Sequence, residues 1–232
     1  MPLSQIRNQK IDGWFSLLAL MFAAAGLILL VGRENWWPDF YSPRFFSAIF
    51  FISALAVVLP KHFLKTSDDC KREAVIFLRS AVAFALTANA LGELYLYQLY
   101  KYGLEYDKLI HFASVFFLTV AFTLFWHIWR EAPFKQALKL AVILAIAASF
   151  LWEGFEFLSD MIFKTREFGI YGQYKLADTA WDLLSDLAGA AMGSAYLLYS
   201  DVRKKAGHDY CRRASGKLDR AKARFKVNNQ GV

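Results

Sequence analysis

Six long apolar runs, at approximately 14–31, 45–59, 75–100, 109–129, 134–157 and 179–199, constrain this chain more than any other feature. A bilayer's hydrocarbon core is about 30 Å thick and takes roughly 20 helical residues to cross, so most of the runs are long enough to span it. The second is the shortest, with Pro43 before it and Pro60 ending it. The runs are far longer than strands and lack period-two alternation, which excludes a β-barrel. A hydrophobic content of 57% and a mean hydropathy of +0.30 point the same way. The expected fold is all-α, a polytopic membrane bundle of about six transmembrane helices. Residues 1–199 form one transmembrane domain and residues 200–232 a basic tail. The first run ends at LLVGREN with no small-residue cleavage pattern, so it reads as a retained anchor.

Positive charge orients such a bundle, because cytoplasmic loops retain Lys and Arg. With both termini cytoplasmic, the inner side carries Arg7, Lys10, Lys61, Lys65, Lys71, Arg72, Arg79, Arg130, Lys135, Lys139 and the tail's ten basic residues. The outer side carries Arg33, Arg44, Lys101, Lys108, Lys164, Arg166 and Lys175. The tail, with ten basic and three acidic residues, accounts for the whole net charge of +7. It reads as a topology determinant that touches anionic headgroups among the membrane lipids. No recognisable nucleic-acid-binding module accompanies it, so nucleic acid is not an expected partner. Both cysteines, Cys70 and Cys211, fall on the inner side, where a reducing compartment gives no reason to expect a disulfide.

On this topology the acids collect at one level. Asp107 and His111 open the fourth run, Glu153 and Glu156 close the fifth, Asp178, Asp182 and Asp186 open the sixth, and Glu93 lies late in the third. Odd helices run outward and even ones inward, so all of these lie in the outer half of the membrane. Spacings of three and four put each set on one helix face. At 1.5 Å per residue Asp186 sits about 12 Å along the axis from Asp178. An ionised group at that depth costs several kcal/mol unless paired, protonated or coordinated. Continuing the stripe leads to Gly189 and Gly193, a small-xxx-small pattern that admits a close neighbour.

Plainer readings compete residue by residue. Asp107 and Asp178 sit where an N-cap belongs, and His111 alone would be a satisfied core histidine. Asp160 and Glu105 belong to the wet interface. Trp36, Trp37, Tyr41 and the tyrosines at 95, 97, 100, 102 and 106 suit an outer aromatic belt. The segment FKTREFGIYGQYKLA could lie over the outer mouth as a lid.

The runs YDKLIHF (106–112), LWEGFEFLSD (151–160) and DTAWDLLSDLAGA (178–190) resemble the D-K-x-x-H-F, W-E-x-x-E and D-x-x-x-D-x-x-x-D-x-x-G-A elements of YjdF-like inner-membrane proteins. These are small bacterial and archaeal proteins related to the VanZ-like group, and the resemblance covers roughly residues 74–199. It implies a multi-pass protein of the plasma (inner) membrane. VanZ-like proteins are associated with glycopeptide (teicoplanin) resistance and hence with the cell envelope. Their patterns favour asparagine in the stretch where this chain has Asp182 and Asp186.

Three functions suit such a cluster. A divalent cation, Zn, Mn or Mg, held by Asp107, His111, Glu153, Asp182 and Asp186, with Glu156 as general base, would serve a hydrolase or transferase acting on a lipid-linked substrate. The same acids, with Glu93 and Asp178 as further polar groups, could form the site of a proton- or cation-coupled transporter or channel, which a homodimer would enlarge. In the third reading the protein is a non-catalytic scaffold whose acids tie helices together, pairing with Lys108 or Arg166.

Overall fold

The computed structural model describes residues 3–32, 42–94, 96–164 and 175–200. The basic tail, the Trp36–Trp37 belt, Tyr95, Arg166, Cys211 and most of the expected lid lie outside these residues. Described elements are all helical. α1 spans Leu3–Val31, α2 Pro43–Val58, the single turn α3 Pro60–Phe63, α4 Asp69–Leu94, α5 Tyr106–Trp129, α6 Phe134–Phe163 and α7 Lys175–Tyr199, with a 3₁₀ segment Leu96–Tyr102 between α4 and α5.

Local chemistry sets the boundaries. Pro43 starts α2, where a missing N–H costs nothing, and Pro60 cuts it from α3. The carboxylate of Asp68 accepts from the backbone N–H groups of Cys70 and Lys71 at 2.8 and 3.1 Å, capping α4. Gly103, at φ +79, closes the turn before α5, and Lys164 ends α6 in the left-handed conformation at φ 59.

Five helical stretches are long and apolar enough to cross a membrane: Lys10–Val31, Pro43–Phe63, Asp69–Leu94, Tyr106–Trp129 and Phe134–Phe163. The sixth run is also a helix, α7, but Asp178, Asp182 and Asp186 keep it out of that set. Leu151, Trp181 and Leu184, 74%, 63% and 52% exposed, face outward, as a lipid-facing surface requires.

α5 is the hub and packs against α4, α6 and α7. α1 and α2 form a hairpin whose Phe15, Phe22, Phe46, Phe50 and Val57 build one buried cluster with Ala83 of α4. Ala137, Ala141, Ala145, Ser149 and Glu153 are the buried face of α6, recurring every fourth residue. That stripe of small side chains delivers Glu153 to the interior. Val115, Ala145 and Ala190 meet where α5, α6 and α7 join.

Two expectations are corrected, and the surroundings of Arg79 are defined. Cys70 is disulfide-bonded and no free cysteine occurs among the described residues. The compartment argument for free thiols rested on an orientation that the fold itself does not dictate. Arg79, counted above as a cytoplasmic charge, is buried at 2% exposure. Its Nη1 donates to Asp12 at 2.6 Å, its Nε to the Val57 carbonyl at 3.3 Å, and its guanidinium lies 4.1 Å from the Phe15 ring centroid. Tyr97 and Tyr106 are half-buried rather than belt residues, because their hydroxyls donate inward to Asn89 Oδ1 at 2.6 Å and to the Ala88 carbonyl at 3.1 Å.

Candidate functional site

The first turns of α5 and α7 lie side by side. α5 begins at Tyr106, with Glu105 as its N-cap residue, and α7 begins at Lys175. Asp107 and Asp178 are therefore inside their helices rather than at the N-cap position, and the Asp178 carboxylate reaches Lys108 across the interface.

The close approach comes from glycine. A Cβ on Gly189 would collide with the Phe112 carbonyl of α5, and one on Gly193 would lie 3.0 Å from the Phe116 carbonyl. Only hydrogen at these positions lets α7 settle on the α5 backbone. The stripe one face-turn earlier, Asp178, Asp182 and Asp186, is then pressed against Asp107, Lys108 and His111. The three α7 aspartates are 4%, 3% and 3% exposed.

Lys108 is the residue that sequence reasoning undervalued. Its Nζ donates to Asp107 Oδ2 at 2.9 Å and to Oδ1 of both Asp178 and Asp182 at 2.6 Å. His111, one turn on, is held from both sides. Its Nδ1 lies 3.2 and 3.3 Å from the two oxygens of Asp186, and its Nε2 3.7 Å from Asp107 Oδ1 and 3.9 Å from Asp182 Oδ1. An ionised carboxylate only accepts, so Nδ1 carries a proton toward Asp186, and Nε2 faces Asp107 and Asp182.

Asp107, His111 and Asp182 each offer one ligand atom, and these atoms all lie within 4.8 Å of one another. Two ligands about 2.0–2.1 Å from a tetrahedral ion stand roughly 3.3 Å apart, so the 3.7 and 3.9 Å separations from His111 would close by about half an ångström and the widest, 4.8 Å, by about 1.5 Å. Asp186 lies behind the imidazole rather than among these three atoms. Glu153 is buried and accepts from the Thr179 hydroxyl, with His111, Asp107 and Asp186 in electrostatic reach, while its Oε1 has no hydrogen-bond partner.

Glu93 and Glu156 belong to a neighbouring layer centred on Tyr97. Burial pushes the Tyr97 phenol well above its usual value, and the negative fields of Glu93, Asp107 and Glu156 add to the shift. Glu93 also lines a small cavity between α2 and α4 with Phe46, Ser53 and Asn89. Glu156, the expected general base, is half-buried one turn past Glu153 on α6.

A family model described as "Predicted membrane protein (DUF2238)" matches residues 13–203. The chain belongs to this family. DUF2238 is the YjdF-like family that the three motifs resemble. Its description agrees with the apolar helices, and the match takes in every residue of the cluster. No curated protein and no solved structure matches the chain.

Proposed function

We propose that this DUF2238 member is a six-helix protein of a bacterial or archaeal inner membrane, with α7 inserted beside α5 and both termini cytoplasmic, an orientation that rests on the Lys and Arg distribution and stands despite the Cys70 disulfide. Its outward-facing cluster binds one divalent cation. Charge balance carries this reading. Five carboxylates, Asp107, Asp178, Asp182, Asp186 and Glu153, surround two basic side chains, Lys108 and His111. Buried carboxylates in excess of their counter-ions call for bound protons or another positive charge, and a divalent cation supplies the latter.

Asp107, His111 and Asp182 are the ligands, and Asp186 orients the imidazole as second-layer carboxylates do around metal-bound histidines. Zn, Mn and Mg all accept mixed oxygen and nitrogen donors. A cation there would polarise a phosphoryl oxygen or acidify a water for hydrolysis or transfer on a lipid-linked envelope substrate. Glu153 and Glu156 supply the nearby base. Metal analysis of the purified full-length chain tests the reading. One ion per chain, lost in His111→Ala and Asp182→Asn, is expected; no stoichiometric Zn, Mn or Mg in the unaltered protein would sink it.

The three short Lys108 contacts favour a second reading, a non-catalytic scaffold in which the ammonium ties α5 to α7. In that case Lys108→Met would lower the melting temperature, and no ion would bind.

A further inference from the structure

Lys108 and the cation position draw on the same pair of carboxylates. Asp107 gives Oδ2 to the ammonium and turns Oδ1 toward His111, and Asp182 Oδ1 serves both sides, 2.6 Å from Lys108 Nζ and 3.9 Å from His111 Nε2. An ion bonded to that oxygen at about 2.1 Å would stand within about 5 Å of the ammonium. Two like charges that close repel strongly in a low-dielectric interior.

A separate observation concerns Glu153, beside the cluster. Glu153 is 6% exposed and its Oε1 is without a hydrogen bond, with His111, Asp107 and Asp186 in reach. Buried polar atoms in a folded protein are nearly always satisfied, so an orphan carboxylate oxygen beside these groups leaves room for a proton, a water or a cation.

Resting on the cation reading above, we propose that Lys108 is a tethered counter-ion that a divalent cation displaces from Asp107 and Asp182. The lysine sets how tightly the position holds its ion. Its third anchor, Asp178, lies outside the three-ligand set and stays available to the displaced ammonium. The charged groups facing this exchange are Asp186 and Asp178 from α7, Glu153 from α6 and His111 from α5.

Calorimetric titration of Mn²⁺ into the full-length chain in detergent tests the proposal on the unaltered protein, Lys108→Gln and Lys108→Arg. Removing the competing charge should tighten binding about tenfold in Lys108→Gln, while Lys108→Arg, which keeps the charge, should bind close to the unaltered protein. In the unaltered protein, Mn²⁺ should raise acetylation of Lys108 by acetic anhydride several-fold, read by mass spectrometry. That measurement decides alone if Lys108→Gln does not fold. Equal or weaker binding by Lys108→Gln, or acetylation unchanged by Mn²⁺, overturns the competition and leaves the cation position standing. No Mn²⁺ binding by any of the three overturns both.

Discussion

Gly189 of α7 rests directly against the backbone carbonyl of Phe112 on α5, the residue after His111. The helix contact and the charged cluster are therefore one construction. Asp186 reaches the imidazole because three residues later there is no side chain to hold the helices apart.

Replacing Gly189 with alanine should cost about 1–3 kcal/mol, since the added methyl meets rigid backbone rather than a side chain that can turn away. Gly193→Ala should cost less, because its nearest atom is 3.0 Å away and Thr119 can shift. Thermal unfolding in detergent should rank the two in that order, and ion binding should weaken in Gly189→Ala more than in Gly193→Ala.

At the opposite end of the bundle, the Arg79–Asp12 pair should respond asymmetrically. Asp12 is 48% exposed and can be hydrated without its partner, whereas Arg79 is 2% exposed and cannot. Asp12→Ala should therefore destabilise by about 3 kcal/mol, the usual cost of stranding a buried charge. Arg79→Met, which fills similar volume without charge, should cost less than about 1.5 kcal/mol. Chemical denaturation of the two variants would give the order, and a reversed order would mean that the guanidinium is hydrated after all.

Alkaline stability should report on Tyr97. Its phenol is raised above the usual value, so above about pH 10 the unfolded chain loses a proton that the folded chain keeps. The folded state then binds more protons, and stability falls as pH rises through that window. Tyr97→Phe has no proton to lose, so its melting temperature should decline less steeply from about pH 10 to 11. Below about pH 9 the same variant should be slightly less stable, having lost the hydrogen bond to Asn89.

Gly92→Ala should disturb the same layer from another side. A methyl there would run into the Tyr97 ring, which must then leave Asn89. Ultraviolet difference absorption in the tyrosine band should detect the ring's move, and the alkaline behaviour should shift toward that of Tyr97→Phe.

The fold was legible wherever hydrophobicity alone decided it. The helices under the runs, the absence of strands among the described residues and the glycine face of α7 all follow from apolar length and four-residue spacing. Convergence of Asp107, His111, Asp182 and Asp186 was also readable, because separate helices carried acids to one level. Lys108 was harder to see, since a lysine beside an aspartate in a first turn looks like an interfacial charge, and only the packing of α7 shows three carboxylates around it. The burial of Arg79 was hidden for a related reason: charge counting along a sequence says nothing about whether a basic residue is wet. Tyr97 and Tyr106 were grouped with an aromatic belt by their neighbours, whereas the inward donors they become depend on the 3₁₀ turn and on Gly103. The start of α4 at Asp69 was missed because DCKREA is polar, yet a helix continues beyond its apolar stretch wherever its first turn is capped.

The partners of Lys108 and His111 lie 70, 74 and 75 residues further along the chain. At a synthesis rate of about 5–20 residues per second, α5 emerges roughly 4–15 seconds before the aspartates that neutralise it. During that interval its ammonium has Asp107 as its one partner among those described, and under the six-helix reading proposed above α7, too acidic to enter easily on its own, finds in α5 its companion. The order of birth thus gives the final segment the task of completing a helix that has been waiting for it.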